Sequence, residues 1–268
     1  MASSIHRYRW QPPKQTVRQS RGVYLLHGIG EHAGRYERLA KRLTELGYEV
    51  GAHDHPGHGQ SSGKRGVLDS SDQLENCASE QLDAFRTETG SSPFLFGHSL
   101  GGLAATSMVL NHNAKVAGLL LSVPAYSPLI SRSNKVKLAV LNRLAPRLAR
   151  ELPYHVQNLT HDETEQEKAL ADPLNHRYKS ASIISWIVKT GKRSIEQANA
   201  LNVPTLVLIA GEDRVIDSQA ILEFISAAPK QQITKHYYPD HRHEVLNETP
   251  LKRQQVLVDI EQWLASQE

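Results

Sequence analysis

Gly97-His98-Ser99-Leu100-Gly101 fits the pattern G-x-S-x-G. The glycines allow a tight turn in which the serine hydroxyl stands clear of the backbone. An apolar run, residues 93–97, precedes the turn, and a helical pattern, residues 99–111, follows it. That context suits a serine nucleophile at the end of a strand, beside a helix N-terminus that favours negative charge. A hydroxyl alone attacks poorly, so a base and an orienting carboxylate are needed. On such a scaffold they follow the serine in the order acid, then histidine. Glu212, Asp213 and Asp217 come after the apolar run 205–210, with Asp213 at the strand's C-terminal end. His241 and His243 both lie in a loop ahead of the last helical segment, and either meets the local requirement.

Acyl transfer through a tetrahedral intermediate also needs two donors for its oxyanion. The N–H of Leu100, the residue after the serine, is one. The second is expected from the glycine-rich turn 27–30, which follows the first central strand. His53, Asp54, His55 and His58 form another cluster, with a spacing that superficially suggests a dinuclear zinc site. Gly57 stands where that spacing needs an Asp, and no second ligand cluster accompanies it. The segment is therefore read as a loop beside the site, tied by Asp54 and His58, and no metal is expected. His32 and His98 read as supporting or packing residues, and Cys77 as an inert packed thiol.

These groups need a scaffold that sets several strand ends side by side. Apolar runs at 23–27, 48–53, 93–97, 116–123, 205–210 and 233–238 predict strands, with an edge strand around 6–10. Helical spacing at 36–46, 70–90, 99–111, 218–228 and 249–265 predicts helices between them. The alternation predicts an α/β fold, a mostly parallel central sheet flanked by helices. It stops at 124–201, which reads as helical and polar with no strand. That segment is expected to be an inserted helical cap, with residues 1–123 and 202–268 forming the core. Within it Leu138, Leu141, Leu144, Leu148 and Leu152 recur at three- and four-residue spacing, with Pro146 as a kink or break. Residues 131–150 also carry Arg132, Lys135, Lys137, Arg143, Arg147 and Arg150 and no acid. A basic amphipathic cap fits leucines lining an acyl channel, with a rim that either meets anionic lipid as a peripheral membrane contact or is the solvated basic face of a helix docked on the core.

Composition narrows the classes. The 268 residues are 39% hydrophobic and 22% charged, ordinary globular usage that excludes a disordered chain. The longest apolar runs, 116–123 and 203–210, fall far short of the ~20 residues that span a bilayer. A net charge of +3 gives no reason to expect nucleic acid as a partner. One cysteine excludes an intramolecular disulfide framework and every cysteine-rich metal site. The first ten residues lack an apolar signal region, so a cytoplasmic location is expected.

His27-Gly28-Ile29-Gly30-Glu31-His32, Arg35-Tyr36 and Asp54-His55-Pro56-Gly57-His58-Gly59-Gln60-Ser61 together resemble the monoacylglycerol lipase and lysophospholipase branch of the α/β-hydrolases. The similarity returns at 97–102, 204–213 and 243–248 and leaves out most of 124–201. It implies the α/β-hydrolase fold, with Ser99 as nucleophile, Asp213 as acid, His243 as base and the N–H of Ile29 as the second oxyanion donor. His243 is favoured over His241 because it opens the family's His-x-x-x-x-Glu ending, closed here by Glu248. Leu100 stands where methionine is frequent, but only its backbone N–H is used. The implied activity is hydrolysis of monoacylglycerols to fatty acid and glycerol through an acyl-enzyme. Lysophospholipids and short-chain esters are the alternative substrates, and a non-catalytic scaffold is the remaining reading. No cofactor is implied, and the partner is a small lipid ester.

Overall fold

The computed structural model describes residues 4–13, 22–112, 114–130, 132–153 and 155–267. In chain order the strands are β1 (Arg7–Trp10), β2 (Gly22–Leu26), β3 (Glu49–His53), β4 (Phe94–His98), β5 (Gly118–Ser122), β6 (Ala149–Glu151), β7 (Tyr178–Ser180), β8 (Thr205–Ala210) and β9 (Ile233–Tyr238). The helices are α1 (Glu37–Glu45), α2 (Gln73–Thr89), α3 (Leu100–Asn111), α4 (Arg132–Leu144), α5 (Glu163–Ala171), α6 (Ala181–Glu196), α7 (Ser218–Ala227) and α8 (Pro250–Ser266).

Seven strands form one sheet in the order β1-β3-β2-β4-β5-β8-β9. β1 is the antiparallel edge, and the other pairings in this sheet are parallel. Every residue of β2, β4, β5 and β8 is buried. Both faces of these strands are covered by helices, which is why their sequences run apolar without alternation. Strand ends moved by a residue or two from the sequence reading, as where 116–123 shortens to Gly118–Ser122.

α3 is buried almost all round, from Leu100 to Val109. Gly101, Gly102, Ala104 and Ala105 keep it slim enough to lie between the sheet and α6. α6 buries Ile183, Trp186, Ile187, Thr190, Gly191 and Ser194, a stripe at three- and four-residue spacing. It starts where the Ser180 side chain accepts the N–H of Ile183 at 3.3 Å.

Two kinds of structure therefore fall within 124–201. α6 joins the buried core through Ile183, Trp186 and Ile187 and packs on α3 and α7. The stretch before it carries α4, β6, α5 and β7. β6 and β7 correct the expectation of a strand-free insert: they form a short antiparallel ribbon, Ala149↔Ser180 to Glu151↔Tyr178. The leucine pattern is also cut short. α4 ends at Leu144, ahead of Pro146, and Leu148 and Leu152 lie beyond it on irregular chain. Pro146 lacks the N–H that a continuing helix would use. No helix among the described residues is long and apolar enough to cross a membrane.

Candidate active site

β4 ends at His98 and α3 begins at Leu100, so Ser99 alone makes the corner, with φ 51° and ψ −114°. A non-glycine residue in that conformation costs about 1–3 kcal/mol and persists only where its surroundings enforce it. Here they do. Any side chain on Gly97 would strike the carbonyl of Gly101, and one on Gly101 would strike that of Leu26. The Ser99 N–H donates to Ser122 O at 3.0 Å, and the Ser99 carbonyl accepts from Leu103 and Ala125, each at 3.0 Å.

The Ser99 hydroxyl lies 2.9 Å from His243 Nε2, and His243 Nδ1 lies 2.7 Å from Asp213 Oδ2. The hydroxyl donates to Nε2, and Nδ1–H donates to the carboxylate. Asp213 Oδ1 accepts the N–H groups of Val215 at 2.7 Å and Ile216 at 2.9 Å, which fixes the carboxylate itself. The local competitors are engaged elsewhere. Asp217 caps α7 by accepting the N–H of Gln219. Glu212 reaches His161 at 3.3 Å. His241 contacts Asp240 through Nδ1 and the Lys252 carbonyl through Nε2.

Burial alone would push the His243 imidazole toward its neutral form. The charge of Asp213 and its hydrogen bond outweigh that, and the pKa stands above the ordinary 6.5. Burial likewise opposes the charge on Asp213, but His243 and the two N–H donors hold its carboxyl below the usual range.

Around this run lie two candidate oxyanion donors. The N–H of Leu100 opens α3, where a helix's first turn leaves N–H groups without an intrahelical partner. Ile29 lies beside Ser99 and borders the spaces on both sides of it. Gly28, its neighbour, is already engaged: its N–H donates to Glu31 Oε1 at 2.6 Å. The Gly30 carbonyl accepts the N–H of His176 at 2.8 Å, so the insert also holds this loop.

Sequence reasoning gave Glu31, Arg35, Tyr36 and Glu244 no role, yet they form a buried charged network under the site. Glu31 Oε1 also accepts the Tyr36 hydroxyl at 2.7 Å, and Oε2 accepts from Arg35 at 2.7 Å. Arg35 forks onto both oxygens of Glu244 at 2.8 and 2.9 Å. One guanidinium thus ties the Ile29 loop to the residue after His243. The i,i+4 spacing of Glu31 and Arg35 was a visible signal. Glu244, 209 residues away from Arg35, was not.

His53, His55 and His27 settle into a hydrogen-bonded chain, while His58 Nδ1–H donates to the Pro56 carbonyl at 3.1 Å. The Tyr24 hydroxyl donates to His53 Nδ1 at 2.9 Å, and His53 Nε2–H donates to His55 Nδ1 at 3.3 Å. His55 Nε2–H donates to the His27 carbonyl at 3.0 Å, while His27 Nε2 accepts the His55 N–H at 2.9 Å. His27 Nδ1–H closes on Gly28 O at 2.8 Å. Each ring serves once as donor and once as acceptor, which is neutral imidazole chemistry. Burial drives all three pKa values down, that of His53 to about 3. Among the described residues no three His, Cys, Asp or Glu side chains converge as a metal-ligand set. Asp54 ties loops together, accepting from Ala33 N, Gln60 N and the Tyr8 hydroxyl. His32 pairs with Asp172 at 2.8 Å, and His98 rests on Ser122. Cys77 is half-buried on α2, its thiol pushed up to about 11 by burial.

Two spaces flank Ser99. The first, of about 340 Å³, is apolar and is lined by Leu138, Leu152, Ile184 and Ile187 among others. Of the five leucines singled out from the sequence, Leu138 and Leu152 line it. Leu141 is half-buried, and Leu144 and Leu148 are exposed. The second space, of about 190 Å³, is the more polar of the two and borders both Ser99 and His243.

The sheet order, the strained serine corner and the acid and histidine on later loops define an α/β-hydrolase. The profile of the family described as serine aminopeptidase, S33, matches residues 18–250, and this chain belongs to that family. It is similar to the human monoglyceride lipase, 32% identical over 248 residues, covering 91% of this chain and 82% of that protein. It is also 32% identical over 267 residues to the monoacylglycerol lipase of Mycolicibacterium smegmatis, covering 92% and 89% of the two chains. The crystal structure of Paleococcus ferrophilus monoacylglycerol lipase superposes with a TM-score of 0.87 at 28% identity, over 99% of this chain and 100% of that one. The chain is thus an α/β serine hydrolase related to the monoacylglycerol lipases.

Proposed function

We propose that this chain hydrolyses monoacylglycerols to fatty acid and glycerol, with Ser99, His243 and Asp213 as its catalytic triad. The observation that carries the reading is the continuous run Ser99–His243–Asp213 at the boundary of an apolar and a polar space. His243 takes the Ser99 proton as the oxygen attacks the ester carbonyl. The N–H groups of Ile29 and Leu100 stabilise the oxyanion. His243 then protonates the departing glycerol oxygen, and the acyl group remains on Ser99. Water repeats the sequence and frees the fatty acid. Asp213 holds the imidazole in the needed tautomer and stabilises its charged form. The acyl chain lies in the apolar space beside Leu138, Ile184 and Ile187, and the glycerol lies in the polar one.

Lipid reaches this cleft from the insert, which we read as the cap. Val136, Val140 and Leu144 recur four residues apart on α4 and are 67%, 55% and 76% exposed. Exposed Lys137 and Arg143 accompany them. An apolar stripe with basic neighbours suits an anionic membrane surface. Ser99→Ala tests the central reading. It should lower kcat on a monoacylglycerol by roughly 10⁴–10⁶-fold, with the melting temperature at or above that of the parent. Substantial turnover by that variant would refute the assignment.

A further inference from the structure

The apolar and the polar space beside Ser99 share four lining residues, Ile29, Ser99, Lys179 and Val215. On the hydrolase reading Ser99 and Ile29 meet the acyl carbonyl, so the other two stand around the same point. Lys179 is the charged member of the four. It sits on β7 of the insert, opposite Arg150 on β6, and β7 hands over directly to α6. The carboxylates that line the polar space, Glu31 and Glu244, are engaged elsewhere. Arg35 bonds to both, Glu31 also receives the Gly28 N–H and the Tyr36 hydroxyl, and Glu244 receives Asn247 Nδ2 at 2.9 Å. Among the described residues no carboxylate lines the apolar space, and the Lys179 ammonium has no hydrogen-bond or ion-pair partner.

An ammonium buried without a counter-charge is destabilised by lost hydration, and burial accordingly lowers the Lys179 pKa from its ordinary value. An anion at the junction of the two spaces restores what burial removes. The reaction makes such an anion there. Water attacks the acyl carbon, the bond from that carbon to the Ser99 oxygen breaks, and His243 returns a proton to that oxygen. The carboxylic acid then gives its own proton to solvent and is left as a carboxylate. Ester substrate and carboxylate product carry the same tail and differ by a full negative charge at the junction. A cation placed there therefore holds the product more tightly than the substrate.

We propose that Lys179 is a binding site for the carboxylate of a long-chain fatty acid whose tail fills the apolar space, so that the released acid competes with incoming ester and feeds back on the enzyme. This rests on the ester-hydrolase reading above and adds a regulation of the same site. The bound carboxylate bridges the core donors of Ile29 and Leu100 to a cation of the insert, and so ties the two regions together. Lys179 takes no part in bond breaking.

The test compares laurate with lauramide, which has the same tail and no charge, as inhibitors of the hydrolysis of a water-soluble short ester, both below micelle-forming concentrations. On the wild type laurate should compete about tenfold more tightly than lauramide. Lys179→Met should remove most of that preference while inhibition by lauramide persists, and Lys179→Arg should keep it. Equal inhibition by the two compounds on the wild type, or a preference that survives in Lys179→Met, would overturn the proposal. So would a Lys179→Met chain that loses both inhibitors alike, because the lysine would then supply apolar packing and not charge. A second reading needs no turnover. Laurate should raise the melting temperature of Ser99→Ala, and should raise it less when Lys179→Met is added. Equal shifts would count against the site. Labelling of Ser99 by a fluorophosphonate probe reports the hydrolase reading separately. A chain that fails to label loses that reading, while one that labels and shows no preference for the anion loses only this proposal.

Discussion

The core and the insert meet at Ser99, and they are held together by different means. The central core strands β2, β4, β5 and β8 are buried at every residue, and the serine corner, His243 and Asp213 each have fixed partners. The charged groups beneath them are mutually compensated through Arg35. In the insert, α4 turns apolar side chains to the outside, the β ribbon is three residues long on each strand, and Lys179 carries no counter-charge among the described residues. The two regions answer to different tolerances. On the proposed reading, transfer of a proton between Ser99 and His243 depends on geometry fixed to a fraction of an ångström, which a rigid sheet supplies. On the same reading, admission of a lipid depends on surface that can be wetted by lipid, which a rigid sheet would bury.

Changes in the core should therefore damage the chemical step, and changes in the insert should alter entry and selection. The largest effect after loss of the serine itself is expected at Asp213. Asp213→Asn should lower kcat by about 10⁴-fold, because the amide no longer holds the right imidazole tautomer. The pH profile adds a second reading. Protonated His243 cannot accept the Ser99 proton, so activity falls as pH falls through its raised pKa. The wild-type acidic limb of kcat/KM should thus have its midpoint above 6.5. In Asp213→Asn the support is gone while burial remains, so the residual limb should move to lower pH. A limb that stays in place would show that Asp213 does not set it.

Arg35→Met comes next. It strands two buried carboxylates, and breaking such a buried pair typically costs about 3–5 kcal/mol, measurable by denaturant unfolding. It should also lower kcat by up to about 10²-fold with KM little changed, since the Ile29 loop and the His243 loop lose their common tie. A rise in KM with unchanged kcat would move Arg35 from the chemical step to substrate binding. The smallest effect on chemistry is expected on α4. Val140→Asp should weaken binding to anionic liposomes by about tenfold and leave hydrolysis of a water-soluble short ester as it was. Undiminished liposome binding would erase the functional contrast between the two regions.

Much of the core was legible because its signals are local. Uninterrupted apolar runs such as Thr205–Ala210 announce strands buried on both faces, and Gly97-His98-Ser99-Leu100-Gly101 announces a turn that few other sequences can make. The choice between His241 and His243 was not local. The neighbouring residues left both open, the His-x-x-x-x-Glu resemblance favoured His243, and the fold sets that imidazole against Ser99 and the other against Lys252. The ribbon of β6 and β7 escaped because its residues, Ala149-Arg150-Glu151 and Tyr178-Lys179-Ser180, are largely polar and pair only with each other. Lys179 escaped for a related reason: a lysine in a polar stretch reads as solvated until the fold closes around it. The leucine periodicity was real, but Pro146 ended the helix that would have put all of its members on one face.

β5 and β8 lie side by side, with Ser122 opposite Leu208, although the whole of α4, α5 and α6 separates them in the chain. The insert therefore leaves and re-enters the sheet at neighbouring points. Lengthening such an excursion costs only slowly growing loop entropy, so its size is nearly free to drift. Transplantation becomes simple: a different excursion can be grafted between the same two strands without re-registering either. On this scaffold, selectivity is the exchangeable part of the protein, and the hydrolytic machinery is the part that stays at home.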